Sequence, residues 1–318
     1  MIPQFFYSHG KLMISGEYLV LAGAVALAIP VRYGQSLQVR ALPYGYPGIE
    51  WEARENGKTW FSARLEFNQQ PPETVFSDNT GPVAQTLCRI LNKALQMNSR
   101  FIDTGRFYQV ITNANFSLEW GLGSSSTLIS NLAWWANTDP YQLLFQTLGG
   151  SGYDIACARS NSPISYRYNG PDKQPTVRPV PFNPPFASHL HYVYSGKKQS
   201  TAGSIASFNA SKVDAEQVHG ISEITGKMAE TKSLKEFREL ILEHESITGR
   251  ILKKTPVQQL HFNDFDGVVK SLGAWGGDFL LAASDMPPET VREYFQGKGY
   301  HIIIPHNEMI LPEKNSKR

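Results

Sequence analysis

Glu119-Trp120-Gly121-Leu122-Gly123-Ser124-Ser125-Ser126-Thr127 is a turn rich in glycine and hydroxyls that runs directly into an apolar-striped segment. Two glycines allow a tight turn and a close backbone approach to a ligand, and the serines open a helix whose first N–H groups lack intrahelical partners and can face an anion. Leu128, Leu132 and Trp135 recur at i, i+4 and i+7, with Ile129, Ala133 and Ala136 beside them, which predicts a helix with one side in the core. The stretch reads as a phosphate cradle or as an ordinary Gly-Ser loop with a serine N-cap, and alone it does not decide between them.

Working outward, residues 107–111 read as the strand that feeds this turn, and 82–94 as a helix with Pro82 at its first position. Residues 5–7, 12–14 and 37–41 read as strands, and 51–67 as a hairpin, so the first part is rich in β-structure. After the organising helix, Asp139-Pro140 opens a short helix that Gly149-Gly150 stops, and 164–168 reads as a strand. Prolines 171, 175, 179, 181 and 184 mark 170–185 as a linker, dividing the chain into domains 1–175 and 176–318. Beyond it, 189–194 alternates as a strand, with His189 and His191 on one face. Ser233-Leu234-Lys235-Glu236 has capping-box spacing ahead of a long helix, and strands are predicted at 279–283 and 301–304 around a helix from Pro287-Pro288. Mixed elements without regular βαβ alternation imply an α+β fold.

The 318 residues are 41% hydrophobic and 12% aromatic, enough for two cores, and a formal charge of +2 gives no argument for nucleic acid. Only Cys88 and Cys157 occur, without metal-ligand spacing, which favours a reducing compartment. The apolar run 18–31 is broken by Gly23 and Pro30 and is too short for a bilayer span, and the first residues lack a secretory pattern. A soluble, cytoplasmic protein with a small-molecule substrate and no membrane or nucleic-acid partner is expected. A homodimer is compatible with this reading.

Three glycine-bearing stretches occur in order: Gly10-Lys11 with Gly16-Glu17, Gly121 to Thr127, and Gly273-Ala274-Trp275-Gly276-Gly277-Asp278. Together they resemble the three motifs of the GHMP kinase superfamily, the first being most like mevalonate and phosphomevalonate kinases. Gly152-Tyr153-Asp154-Ile155-Ala156 resembles a variant branch named for those five letters. The resemblance implies a two-domain kinase, with a ribosomal S5-like N-terminal domain, a ferredoxin-like C-terminal domain, and ATP and Mg²⁺ in a cleft between them. It implies that Gly121, Leu122, Gly123, Ser124, Ser125 and Ser126 hold the nucleotide, with Ser125 on Mg²⁺, and that Asp154 and Lys11 are catalytic. Glu17 is carried over to a nucleotide-side or structural role.

The stretch Tyr194 to Thr201 resembles the post-strand loop of phosphomevalonate kinases. It implies an anionic substrate, met by Lys197, Lys198, Ser200 and Thr201 together with Gly273, Trp275 and Gly276 of the third motif. Three departures are visible: the helix before the Asp154 block, Tyr141 to Gln146, offers no glutamate for Mg²⁺; the separation of 29 residues from Ser125 to Asp154 is shorter than in relatives; and Trp275 stands where relatives carry a small residue. The expected activity is therefore transfer of a γ-phosphoryl group to a mevalonate-like or phosphomevalonate-like acceptor. A catalytically silent nucleotide-binding homologue and a diphosphomevalonate decarboxylase are the alternatives.

Overall fold

The structure is a computed structural model of the chain in which residues 3–43, 46–68, 74–77, 81–197, 208–273, 275 and 277–312 are described. The chain forms two compact units and passes between them more than once. The first holds Met1–Gly10, Tyr33–Leu118 and Gly123–Arg159; the second holds Lys11–Arg32, Glu119–Leu122 and Ser160–Arg318.

Strand β1 (Gln4–Ser15) pairs with β2 (Ala26–Leu42), and both belong partly to each unit. The two short strands expected at 5–7 and 12–14 are thus one, because the polar residues 8–11 keep the extended backbone. In the first unit, β2 runs antiparallel to β6 (Phe107–Ala114) from Gln35↔Ala114 to Leu42↔Phe107. β3 (Gly48–Glu55) lies parallel to β6, and β4 (Lys58–Asn68) and β5 (Thr74–Ser77) continue the sheet antiparallel. β6 alternates half-buried and buried residues, so Tyr108, Val110, Thr112 and Ala114 face the core. Helix α1 (Pro82–Met97) adds the stripe Leu87, Ile90, Leu91 and Ala94. α2 (Ser124–Trp135) adds Ile129, Leu132 and Trp135, with Trp135 edge-on to Phe101 at 5.1 Å. α3 (Pro140–Phe145) starts where the Asp139 carboxylate accepts from the N–H groups of Tyr141 and Gln142, a true N-cap. α4 (Tyr153–Ala158) follows Gly152.

In the second unit the start of β2 pairs with β7 (Ile164–Arg167), and β8 (Thr176–Pro179) pairs with β7. β8 lies within the proline-bearing stretch read as a linker, where its outward residues are all exposed. The remainder is a four-stranded antiparallel sheet of order β10-β11-β9-β12, from β9 (Leu190–Tyr194), β10 (Val268–Ser271), β11 (Phe279–Ala283) and β12 (Ile303–Pro305). α5 (Ala215–Glu230) and α6 (Leu234–Leu252) fall between β9 and β10, followed by the short α7 (Val257–His261), and α8 (Pro288–Gly297) joins β11 to β12. This β-α-β-β-α-β order is the ferredoxin-like arrangement expected for the C-terminal part. β10 and β11 are buried at every position, which explains the unbroken apolar character of β11, whereas β10 buries Lys270 and Ser271 beside its two valines. Their core joins Phe262, Phe265, Val291 and Phe295 from the flanking segments.

One detail differs from expectation. His189 lies in a one-turn 3-10 segment before β9, with Nδ1 3.0 Å from the Ser284 carbonyl oxygen, so it does not share a strand face with His191. Both cysteines are free thiols, and among the described residues no helix is long and apolar enough to cross a membrane.

Candidate functional site

Lys11, Gly121 and Asp278, one residue from each of the three glycine stretches, come together in the second unit. The Lys11 N–H donates to the Leu122 carbonyl at 3.0 Å and its Nζ donates to the Gly121 carbonyl at 2.9 Å. Gly121 has φ +65°, and a Cβ there would lie 2.3–2.5 Å from the carboxyl atoms of Asp278. Glycine is therefore required twice, for the left-handed backbone and for the close approach. Asp278 is buried, with φ +52°; its N–H donates to the Lys197 carbonyl and its own carbonyl accepts from the Ser195 N–H, both at 2.8 Å. Trp120 packs edge-on against Phe279 at 5.8 Å, and the Tyr194 hydroxyl donates to the Glu119 carbonyl. The segment 119–122 is thus clamped to β9 and β11.

Gly121→Ala is expected to lower unfolding free energy by at least about 1–2 kcal/mol from the left-handed backbone alone, with the Asp278 clash added. A urea melt checks it. A loss below about half a kcal/mol would show that the turn relaxes freely.

In the first unit, Gly123 at φ +92° precedes α2. The Ser126 hydroxyl donates to the Gly123 carbonyl, and the Thr127 hydroxyl donates to Gln35 Oε1 at 2.7 Å. Both residues are buried, whereas Ser124 is half-buried and Ser125 exposed. The serine run thus divides: Ser126 and Thr127 fasten the turn, and Ser125 presents its hydroxyl to solvent. A buried network holds α2 from behind, where the Ser8 hydroxyl lies 2.9 Å from Ser130 Oγ and 2.8 Å from Asn131 Oδ1. Arg159, just after α4, donates to the Ser130 hydroxyl and carbonyl at 3.2 and 3.0 Å and lies over the Trp134 ring. Asp154 stands in the first turn of α4, half-buried, while Ile155 to Ala158 are all buried. Its position relative to α2 is fixed by that packing and by Arg159. Burial, reinforced by Cys157 and Asp139, pushes the nearby Tyr141 phenol well above its ordinary range and keeps it a neutral group.

Glu17 is 1% exposed and sits in a buried ion cluster that the motif comparison did not anticipate. Lys270 Nζ of β10 is 2.5 Å from Glu17 Oε1 and 3.4 Å from Glu245 Oε1 of α6. His244 Nε2 lies 3.2 Å from Glu17 Oε2 and 3.1 Å from the Gly16 nitrogen. Burial raises the Glu17 carboxyl, but Lys270 and His244 together outweigh it and hold the group at about 2. The cluster ties the end of β1 to α6 and β10. Its signal was present in the sequence as charged residues at core positions: Lys270 in an apolar strand, and His244 on the apolar stripe of α6.

Trp275 is 5% exposed, and its backbone N–H donates to the Tyr18 hydroxyl at 3.1 Å. Gly273 has φ +70°. Lys198, Ser200, Thr201 and Gly276 lie outside the described residues. Among the described residues there is no group of three or more His, Cys, Asp or Glu that could hold a metal ion.

No family model and no curated protein matches this sequence. Solved structures do. A Lin0012 protein from Listeria innocua superposes with a TM-score of 0.70 at 17% identity, covering 96% of this chain and 97% of its own. Streptococcus pneumoniae phosphomevalonate kinase, in complex with phosphomevalonate and AMPPNP, gives 0.68 at 15% identity over 94% of this chain and 98% of its own. A mevalonate kinase gives 0.66 at 15% identity over 95% and 98%. At these identities the likeness is one of fold, and it extends over nearly the whole chain: the protein has the two-domain GHMP kinase fold.

Proposed function

We propose that this protein is an ATP-dependent small-molecule kinase that transfers the γ-phosphoryl group to a hydroxyl or phosphate of an anionic metabolite, mevalonate-like or phosphomevalonate-like. The observation that carries the reading is the convergence of Lys11, Gly121, Asp278 and Lys197, which brings residues from all three glycine stretches and the post-β9 loop together. The fold likeness to a phosphomevalonate kinase bound to AMPPNP supports the nucleotide half of the reading.

The residues present fit a nucleotide and Mg²⁺. Gly121 and Gly123 both have positive φ, Ser124 and Ser125 begin a twelve-residue helix, and Ser125 presents an exposed hydroxyl. Mg²⁺ retains several waters and is commonly bound through few protein groups plus phosphates, which suits a site without a carboxylate cluster. Gly121, Leu122, Gly123, Ser124, Ser125 and Ser126 would hold the triphosphate, with Ser125 on the metal; when bound, the metal supplies charge neutralisation on the transferring group. Lys11, anchored on the Gly121 carbonyl, would place a cation beside the same phosphates. Asp154 would accept the acceptor's proton. Gly273, Trp275, Lys197, Lys198, Ser200, Thr201 and Gly276 complete the proposed nucleotide and acceptor sides, and Glu17, buried in its ion cluster, takes the structural one of its two expected roles.

A second reading, a silent nucleotide-binding protein on the same fold, is favoured by Trp275 in the third glycine turn and by the absence of a carboxylate along α3. ADP release from ATP and Mg²⁺ against mevalonate, its phosphates, homoserine and sugars separates the two. Acceptor-dependent turnover, lost in Lys11→Met, is expected. Nucleotide binding with no turnover on any acceptor would overturn the kinase reading, and turnover confined to neutral sugars would overturn the anionic acceptor.

A further inference from the structure

Trp275 forms part of the wall of a cavity of about 360 Å³ in the second unit, a size within the usual range for small-ligand sites. Its floor is buried: Ser271, Leu280 and Trp275 are 2%, 2% and 5% exposed. Lys197, Lys254 and Thr255 stand exposed at its rim, and among the described residues no Asp or Glu lines it. Two ammonium groups facing one concavity without a carboxylate make a site whose field favours an anion. The hydroxyls of Thr255 and Ser271 add donors. The indole Nε1–H of Trp275 is buried and has no hydrogen-bond partner among the described residues, an unmet donor within the same wall. Val257, Leu260 and Tyr300 line the remainder and offer apolar surface.

The cavity is joined to the glycine turns by a short chain of contacts. The Lys197 carbonyl accepts the Asp278 N–H, the Asp278 carboxyl packs on Gly121, and the Gly121 carbonyl holds Lys11. Lys254 is itself placed by its N–H on the Gly249 carbonyl at the end of α6.

We infer that this cavity binds a small organic anion, its phosphate or carboxylate head held by Lys254, Lys197 and Thr255 and its short apolar tail lying on Leu260 and Tyr300. Naming that anion as the phosphoryl acceptor rests on the kinase reading; the binding itself does not. Lys254 and Thr255 thereby enter the site although no glycine motif contains them.

The test is titration of the full chain with n-butyl phosphate, followed by calorimetry and by the ¹⁵N-indole resonance of Trp275, identified as the signal missing from Trp275→Phe. Butyl phosphate is expected to bind and to move that resonance, butanol to do neither, and Lys254→Met, an exposed substitution that leaves the core intact, to weaken binding at least about tenfold. An unmoved Trp275 resonance at saturation, or an affinity unchanged in both Lys254→Met and Lys197→Met, would overturn the site. Turnover assays keep the two readings apart. A Lys254-dependent indole response with no turnover on any acceptor leaves the cavity standing and removes the kinase. Turnover whose acceptor KM ignores both lysines leaves the kinase standing and removes this cavity as the acceptor's site.

Discussion

Asp154→Asn is expected to lower kcat for acceptor phosphorylation by about 10²–10⁴-fold, the usual contribution of a positioned general base, while the KM for ATP stays within about threefold. The substitution keeps the side chain's shape and removes its ability to take a proton. Asp154 is half-buried at the first turn of α4, and the residues that hold the helix in place are its neighbours Ile155 to Ala158 and Arg159. Losing one oxygen's basicity therefore leaves the packing of α4 on α2 as it was, and the urea midpoint should barely move. A drop in kcat accompanied by unchanged stability identifies chemistry as the step affected. A kcat within tenfold of wild type would remove Asp154 from the role of base and leave phosphoryl transfer to positioning by Lys11 and the glycine turns. Loss of stability of more than about 1 kcal/mol would instead mark Asp154 as part of the α4 cap.

What could be read in the sequence follows from the range of the interactions involved. The start of α3 at Asp139-Pro140 and the start of α1 at Pro82 were legible because a cap or a fixed φ acts within one turn of chain. The glycine turn at Gly121 was legible as a turn, but its reason was not: the carboxylate that forbids a Cβ there belongs to Asp278, which lies 157 residues further on. Helix α5 was missed although Asp214 and Gln217 form a complete capping box, because its apolar stripe of Ile221, Ile224 and Met228 is sparse. The Ser233 segment, which has the same spacing, closes only half of its box; Glu236 instead accepts from the Thr231 hydroxyl. The division of the serine run between fastening and presentation depends on Gln35, a β2 residue that no local pattern connects to Thr127. Side chains whose partners are distant in sequence carry no local periodicity, and that is the part of the site which only the folded chain displays.

Lys270→Met is expected to cost about 3–5 kcal/mol of unfolding free energy, because it leaves Glu17 and Glu245 buried without their shared cation. Methionine fills a similar volume, so the loss reports charge and not a cavity. The partner experiment uses pH. The folded Glu17 carboxyl sits at about 2, below the ordinary value of 4.5, so the protein gains stability from it above about pH 4.5 and loses that gain as pH falls toward 2. A depression of this size corresponds to roughly 3 kcal/mol, in the range expected for removing the lysine. Glu17→Gln should therefore flatten the acid side of the stability curve between about pH 4.5 and 2. His244, facing the same carboxylate from α6, contributes to the pairing, so His244→Gln should flatten the curve less than Glu17→Gln. The double substitution Glu17→Gln with Lys270→Met should cost less than the two single changes together, since each removes what the other leaves unpaired. Additive losses would mean that Glu17 and Lys270 are each satisfied independently, and a Lys270→Met loss under about 1 kcal/mol would mean that water reaches the cluster. With the second outcome the tie from the end of β1 to α5 and α6 would rest on neutral contacts, the Ser15–Thr225 hydroxyl pair and the Gly16 N–H beside His244.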